Sequence, residues 1–218
     1  MKIKKNADGF VCQYTNSSIL EIECRYSGDC SICWRDGETS HLSLPISTYN
    51  AQYGISVPPD GSVLFVSSWE RGLEAFDART SALRWHCPLT RITKAFIAGD
   101  TVLAIRYGVS LIRLSMQTGE QIAQIDSRSV ENAWDLGGGI LFVDKIHRRC
   151  SAVRMDDLTI VCSYAAKTVN PRQCLSFVIR KAERIGKELW IYGFEEYPNK
   201  DYTNQDHRDF ERKIDGDF

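Results

Sequence analysis

Short apolar runs alternate along the chain with turns rich in glycine, aspartate and serine. A clear set begins at Gly61 with Val-Leu-Phe-Val, passes through Gly72-Leu-Glu-Ala-Phe, and ends with Leu-Arg-Trp-His-Cys at Cys87. Runs of this length are too short for ordinary helices, and their valine, phenylalanine and tryptophan content favours strands. The pattern predicts an all-β chain with almost no helix before residue 195.

The same pattern recurs at a nearly constant interval. Gly99 lies 38 residues after Gly61, Gly138 lies 39 residues after Gly99, and each glycine opens a similar set of runs. Weaker copies start at Gly9 and Gly186. Each full copy is also preceded by one more short apolar stretch, so that a unit holds four strand-like segments. Four strands in a period near 40 residues are typical of a β-propeller blade.

The turn between the last two segments carries a recognisable motif. Asp77, Thr80 and Trp85 match the blade repeat of pyrroloquinoline-quinone-dehydrogenase-like β-propellers, and this stretch resembles that family, with Ser81 where the family has glycine. The next copy keeps Thr118-Gly119 but lacks the aspartate and the tryptophan. The resemblance implies a propeller fold in which the tryptophan packs between blades. It implies no activity, because these residues are structural in the family.

These patterns predict the organisation of the chain. We expect residues 1–198 to form a small β-propeller of about four to five four-stranded blades, closed or incomplete. The stretch 36–51 is interpreted as an exposed loop. Residues 199–218 are expected to form an acidic, partly disordered C-terminal tail.

Composition restricts the class of protein. Hydrophobic residues make up 43% and charged residues 25% of the 218 positions, and the formal net charge is −1, as in an ordinary globular chain. A disordered or fibrous chain is excluded, and no apolar run approaches the roughly 20 residues of a membrane helix. The polar start does not resemble a signal peptide, so we expect a cytoplasmic protein. The near-zero charge gives no reason to expect direct nucleic-acid or membrane binding.

Eight cysteines raise the question of a metal site or disulfides. A reducing compartment disfavours disulfides, and only Cys30 and Cys33 have the C-x-x-C spacing. On one strand these two side chains would point to opposite faces, which is unsuitable for shared ligation. We therefore interpret the cysteines as buried packing residues and predict no metal.

Catalytic motifs are absent from the sequence. The four histidines, at 41, 86, 147 and 207, are scattered over different units, and there is no nucleophile elbow, phosphate loop or zinc-protease motif. His86 is interpreted as a packing or surface residue, His147 as part of a turn, and Gly137-Gly138-Gly139 as a blade-entry turn. We predict that the protein is not an enzyme and needs no cofactor, although a site assembled from separate blades stays open.

The C-terminal stretch from Glu195 to Phe218 is the most distinctive segment. It holds eight acidic against four basic residues, a net charge of −4, with aromatic residues interleaved. Acids mixed with aromatics can engage a basic groove by charge and by packing. The predicted partner-binding residues are Glu195, Glu196, Tyr197, Asp201, Tyr202, Asp206, Asp209, Phe210 and Glu211.

Two functional hypotheses follow. The first is a non-enzymatic protein-binding module, an immunity protein that neutralises a cognate bacterial toxin, with a basic nuclease domain as the expected partner. The size of the chain and its acidic C-terminal end are similar to those of bacterial immunity proteins, and this analogy favours the first hypothesis. The alternative is a propeller enzyme or a small-ligand-binding protein with its site at the mouth of the central channel.

Overall fold

A computed structural model describes residues 2–5, 7–44, 54–126, 130–145, 149–165, 174–198 and 205–214. Within these ranges the regular secondary structure is entirely β-strand, so the all-β prediction is confirmed. The chain divides into two compact units, Met1–Asp126 and Ser127–Phe218.

The first unit contains three antiparallel sheets, numbered here in chain order. The first sheet consists of β1 (Lys2–Lys5), β2 (Gly9–Gln13), β3 (Ile19–Arg25), β4 (Asp29–Trp34) and β5 (Thr39–Ser43). The second consists of β6 (Ile55–Ser56), β7 (Val63–Ser68), β8 (Gly72–Asp77) and β9 (Leu83–Cys87). The third consists of β10 (Ile92–Ala98), β11 (Thr101–Arg106), β12 (Ser110–Ser115) and β13 (Gln121–Asp126).

The second unit contains two antiparallel sheets. The fourth sheet consists of β14 (Val130–Asp135), β15 (Ile140–Lys145), β16 (Arg149–Arg154) and β17 (Ile160–Ala165). The fifth consists of β18 (Ser176–Ile185), β19 (Glu188–Pro198) and β20 (Gln205–Ile214). In all five sheets, strands that are neighbours along the chain are neighbours in space.

Three of the sheets share one turn between their last two strands, as the repeat predicts. The turn closes with a backbone N–H donated to the carbonyl four residues earlier, from Ser81 to Asp77 (2.9 Å), Gly119 to Ser115 (2.9 Å) and Leu158 to Arg154 (3.0 Å). The donor residue has a positive φ in each case, 62°, 72° and 61°. Glycine adopts this conformation without strain, and the other two residues are held in it by the same hydrogen bond.

Trp85 packs between neighbouring sheets, as the motif predicts. Its side chain on β9 is 8% exposed, and its indole Nε1 donates a hydrogen bond of 2.8 Å to the carbonyl of Met116 in the third sheet. A Cβ on Gly119 would lie 2.5 Å from the indole ring, so only glycine fits beneath it. The turn of one sheet and the tryptophan of the preceding sheet therefore form a single packing unit.

The carboxylate of Asp77 organises the turn that precedes Trp85. It accepts backbone hydrogen bonds from Arg79 (3.0 Å) and Thr80 (2.9 Å) and a side-chain hydrogen bond from Arg84 (2.7 Å). The Arg84 guanidinium and the Thr80 amide hold the pKa of Asp77 well below its usual range. Asp77 therefore stabilises the fold above its unfolded-state pKa of about 3.9, and this contribution is lost as the pH falls below that value.

We expect Asp77→Asn to lower the free energy of unfolding by about 1–2 kcal/mol at neutral pH, because charge-assisted hydrogen bonds are lost. The deficit should shrink near pH 3, where the wild-type carboxyl is largely protonated in the unfolded chain but still ionised in the folded protein. Urea unfolding at both pH values measures the effect. Asp100→Asn is the control, since its exposed carboxyl makes no hydrogen bond within the described residues. A deficit that is equal at both pH values would contradict this role of the Asp77 charge.

The first sheet is offset by one strand from the expected repeat. Ser18, before β3, donates its N–H to Pro59, before β7, at 2.8 Å, and Arg79, after β8, pairs with Asp36, after β4, at 2.9 Å. Strands β3 and β4 therefore correspond to β7 and β8. The strands equivalent to β6–β9 are β2–β5, and β1 is additional. The predicted alignment of Gly9 with Gly61 is wrong by one strand.

The expectation of an exposed loop over residues 36–51 is wrong for Thr39–Ser43. These residues form β5, which pairs with β4, and Leu42 is buried in the core of the first sheet. The segment alternates exposed and buried positions as a half-buried strand does. Residues 45–51 lie outside the described ranges.

The expectation of a partly disordered tail is wrong for residues 205–214. These residues form β20, which pairs with β19 from Leu189↔Ile214 to Pro198↔Gln205. Ile214 is 2% exposed, and Phe210 packs against the same apolar cluster of the second unit. The segment is held by alternate inward-facing side chains although most of its residues are charged.

Candidate functional site

Strand β19 has two chemically different faces. Leu189 and Ile191 are fully buried, whereas Trp190, Tyr192 and Phe194 on the opposite face are half-buried. Alternation along a strand places residues two apart on one face, so the three aromatic rings form a row. The fifth sheet therefore packs one face into the core of the second unit and leaves an aromatic row on the other.

Carboxylates lie beside this row. Register pairs Phe194 with Asp209 and Tyr192 with Glu211, both exposed on β20. Glu196 follows Phe194 on the same face of β19 and lies 3.6 Å from His207. We call this surface the aromatic–carboxylate face; its residues are Trp190, Tyr192, Phe194, Glu196, Asp209 and Glu211.

Cations lie over the aromatic row from the β18 side. The Arg180 guanidinium is 4.4 Å from the ring centre of Phe194, and the Lys181 ammonium is 5.2 Å from that of Tyr192. Such contacts cover aromatic faces while the charged groups stay in water. Within the described strands, Asp209 and Glu211 make no ion pair, so their charges face solvent.

Two further acids beside this face, Glu188 and Glu183, are ionised and paired. A hydrogen bond from Lys213 lowers the pKa of Glu188, and one from Lys181 lowers the pKa of Glu183. Both pairs are exposed and add little stability. The face thus presents fixed rim charges around half-buried rings, a combination typical of protein-binding surfaces.

The opposite face of the same strands buries an ion pair. Glu195 is fully buried and receives hydrogen bonds from the Arg212 guanidinium and the Tyr197 hydroxyl. The guanidinium lies 4.6 Å from the ring centre of Phe210, which stacks on Phe177 at 4.7 Å with 7° between the planes. This arrangement satisfies a buried charge and belongs to the core of the unit.

The structure divides the predicted partner-binding residues into three groups. Glu196, Asp209 and Glu211 lie on the aromatic–carboxylate face. Four others lie on the opposite face: Glu195, Tyr197 and Phe210 pack in or beside the core, and Asp206 is exposed opposite Tyr197. The last two, Asp201 and Tyr202, lie outside the described residues. The prediction is therefore wrong for Glu195, whose carboxylate has no access to a partner.

Sequence reasoning missed the aromatic row itself. Trp190, Tyr192 and Phe194 fall within the weak copy that starts at Gly186, and the repeat by itself does not distinguish them from packing residues. The alternation Leu-Trp-Ile-Tyr-Gly-Phe carries the signal, because Leu189 and Ile191 supply a full apolar face and leave the aromatics on the other. Gly193 lies on the buried face of the same strand. A Cβ there would lie 1.9 Å from the carbonyl oxygen of Val178, so only glycine fits at this position.

Three of the four cysteines of the first sheet pack in its core, whereas Cys33 is half-buried. Cys12, Cys24 and Cys30 are buried, and burial raises the pKa of Cys12 to about 11. A hydrogen bond with Cys30, together with burial, raises the pKa of Cys24. Thiols held in the neutral form are poor nucleophiles and poor metal ligands. Among the described residues, no three histidine, cysteine or acidic side chains are placed to share a metal ion.

A polar cavity of about 480 Å³ lies on the first sheet, lined in part by Glu23, Arg25 and Asp29. Within it, the Ser31 hydroxyl and His41 Nδ1 are 3.2 Å apart. Register places Glu23 beside Ser31, on the side away from His41. A carboxylate that orients the imidazole, as in a nucleophile–base–acid triad, is therefore lacking within the described part of the first sheet.

Five consecutive antiparallel sheets, with Trp85 packed between the second and the third, are the architecture of a β-propeller, and comparison with solved structures agrees. The chain is 18% identical to BamB from Moraxella catarrhalis, with a TM-score of 0.57, 94% of this chain covered and 59% of that chain. It therefore spans less than two thirds of the length of BamB. These likenesses establish the fold and no function.

Two further propellers give the same result. The β-propeller domain of Cps50 (Swd1) from Myceliophteria thermophila is 11% identical with a TM-score of 0.61, with 96% of this chain and 73% of that chain covered. Virginiamycin B lyase from Staphylococcus aureus is 11% identical with a TM-score of 0.59, with 93% and 77% covered. No protein-family model matches the sequence, and no curated protein matches it. Across the described ranges, no helix is long and apolar enough to cross a membrane.

Proposed function

We propose that this propeller is a non-enzymatic protein-binding module whose binding surface is the aromatic–carboxylate face of the fifth sheet. One observation carries the proposal: Trp190, Tyr192 and Phe194 form a half-buried row next to the solvent-facing carboxylates of Asp209 and Glu211. Aromatic anchors inside a polar rim provide most of the affinity in protein interfaces.

The partner that suits this face is a basic protein domain. Like the acid-rich C-terminal stretch, the free carboxylates favour a cationic partner, and a nuclease-type toxin offers a cationic substrate groove. We therefore propose that the chain acts in the cytoplasm as an immunity protein, of the kind used in contact-dependent growth inhibition, and covers the active site of a cognate toxin. The Asp77, Thr80 and Trp85 motif supports repeats of the pyrroloquinoline-quinone-dehydrogenase-like type, used here without the quinone.

The carboxylate charges and the aromatic rings are expected to contribute to partner binding in separable ways. Rim carboxylates accelerate association, most strongly at low salt, because the Debye length is about 8 Å at physiological ionic strength. Buried aromatic anchors slow dissociation. Charge substitutions on β20 and aromatic substitutions on β19 should therefore change different rate constants.

The double substitution Asp209→Lys and Glu211→Lys tests the proposal. Against basic nuclease-toxin domains encoded in the host genome, we expect wild-type protein to protect co-expressing cells. The variant should associate at least about tenfold more slowly at low salt, since the charges that steer encounter are reversed. Surface plasmon resonance over a range of salt concentrations measures the rates, and colony survival measures protection.

The double substitution Asp100→Lys and Glu120→Lys is the matched control, because it makes the same total charge change at two exposed turns of the third sheet. Equal slowing by both variants would show that only total charge matters. If a toxin binds tightly and its rate constants are unchanged in the Asp209→Lys, Glu211→Lys variant and in Tyr192→Ala, the interface does not lie on this face. If no basic toxin domain binds the wild type, the immunity proposal fails.

A further inference from the structure

Two exposed aromatic side chains meet on the first unit, far along the chain from the fifth sheet. Trp69, in the turn between β7 and β8, is 40% exposed, and Tyr107, in the turn between β11 and β12, is 38% exposed. Their ring centres are 5.6 Å apart and the planes are tilted by 48°. Large aromatic rings exposed together in solvent are uncommon away from binding surfaces.

The backbone around this pair is fixed by hydrogen bonds from a third segment. Arg91, in the connection from β9 to β10, donates its N–H to the carbonyl of Trp69 at 2.6 Å and accepts the N–H of Tyr107 at 2.9 Å. The turn that holds Trp69 is also fixed by His86, whose Nε2 lies 2.7 Å from the carbonyl of Arg71. Two turns from different sheets are thereby joined through one residue.

Arg91 itself is unusual. Its φ is 68°, in the left-handed region that non-glycine residues rarely adopt, and its side chain is exposed. Within the described residues its guanidinium has no ion-pair partner. Strained backbone at a non-glycine residue is found preferentially at functional sites. The backbone of Arg91 is thus fixed between two aromatic turns, and its exposed guanidinium has no ion-pair partner among the described residues.

A second cation adds to the charge of this surface. Arg106, the last residue of β11, donates from Nε to the carbonyl of Thr90 at 3.1 Å and forms no ion pair within the described residues. Arg71 is neutralised by the buried Glu74 at 2.6 Å, and Glu70 is the exposed acid of the same turn. Among the described residues, the two cations without an ion pair, Arg91 and Arg106, thus outnumber the one nearby acid without an ion pair, Glu70. The surface is therefore cationic and aromatic.

We propose that Trp69, Tyr107, Arg91 and Arg106 form a docking surface for an extended acidic segment of a partner protein, separate from the aromatic–carboxylate face. Side chains two apart on an extended chain are spaced by roughly 6.6 Å, close to the separation of the two rings. Alternate apolar side chains can then rest on the rings while flanking carboxylates meet the two guanidinium groups.

The geometry favours a peptide over a single-stranded nucleic acid. Bases stack between or upon parallel aromatic platforms, and here the two rings are tilted against each other and in mutual contact, which leaves no slot. The in-plane donors of arginine pair with carboxylates and with phosphates alike, so the geometry of the rings is what separates the two kinds of ligand.

Fluorescence polarisation with three labelled probes tests the proposal on the full chain. The first is the peptide Glu-Ser-Leu-Ser-Leu-Ser-Glu, which when extended places two leucines two residues apart on one face with a glutamate on either side of them. The second carries lysine in place of glutamate, and the third is a thymidine dodecamer. We expect saturable binding of the glutamate peptide alone, weakened by added salt.

Substitutions locate the binding on this surface. Trp69→Ala and Arg91→Glu should each weaken binding of the glutamate peptide by about tenfold or more, as for central interface residues. Arg91→Gly removes the cation while keeping the left-handed backbone unstrained, and it should show an intermediate loss. Leu83→Ala, at a residue 53% exposed on β9, is the control and should leave the affinity unchanged.

Several results would overturn the proposal. They are the absence of saturable binding of the glutamate peptide, equal affinity for the lysine peptide, tighter binding of the oligonucleotide, or unchanged affinity in Trp69→Ala. Circular dichroism of each variant shows whether a loss reflects unfolding. Binding of a toxin at the fifth sheet is measured separately, so either proposal can fail without the other.

Discussion

Replacing Trp85 with alanine is expected to lower the free energy of unfolding by about 3–5 kcal/mol, the range for removing a buried aromatic side chain. The indole fills the space between the second and third sheets, contacts Phe65 at a ring-centre distance of 5.7 Å, and lies directly on Gly119. Its loss also leaves the carbonyl of Met116 without the indole N–H donor. The cavity and the lost hydrogen bond therefore both destabilise the contact between the second and third sheets.

Two further variants separate these terms. Trp85→Phe keeps a ring in the space but removes the hydrogen bond, and should cost about 1–2 kcal/mol beyond its small loss of volume. Trp69→Ala, the same truncation at an exposed tryptophan, should change stability by less than about 1 kcal/mol. Urea unfolding followed by circular dichroism measures all three. Equal midpoints for Trp85→Ala and the wild type would place Trp85 outside the core.

Replacing Arg212 with methionine is expected to cost about 3–5 kcal/mol, because it removes the guanidinium that pairs with the buried carboxylate of Glu195. Methionine retains most of the side-chain volume against Phe177 and Phe210, so the loss reflects charge more than packing. The hydroxyl of Tyr197 remains as a donor but carries no compensating charge.

The neighbouring Lys213 provides a matched control. It pairs with Glu188 on the exposed face of the same strand, and Lys213→Met should cost less than about 1 kcal/mol. Combining Arg212→Met with Glu195→Gln should recover part of the loss, since no buried charge is then left unpaired. A double variant as unstable as Arg212→Met plus an independent Glu195→Gln would contradict coupling between the two side chains.

The repeat could be predicted because its physical causes are local. Turns that need a positive φ recur at Ser81 and Gly119, and apolar alternation around them defines the strands. The first copy was misaligned because Asp8-Gly9 imitates the turn at Asp60-Gly61, and only a contact between sheets, such as Arg79 with Asp36, reveals the offset. Spacing along the chain does not contain that information.

The proposed binding surface was less accessible to sequence reasoning. The charges of β20 suggested a solvated tail, because Phe210, Arg212 and Ile214 are a sparse inward-facing set. Arg212 becomes a core residue only through Glu195, which is 17 positions earlier in the chain. The sequence indicated acids and aromatics near the C-terminus, but which of them share a face depends on the register between β19 and β20.

That register has a consequence for how the fifth sheet meets other molecules. β20 is the last of its described strands, and an uncovered edge strand can recruit foreign strands into amyloid-like aggregates. Arg208, Asp209, Glu211 and Lys213 place charges of both signs along it, and a flat apolar strand cannot add beside them without desolvating those groups. The charges thus protect this edge of the sheet against aggregation without covering the broad face of β19, where we propose that a folded partner binds.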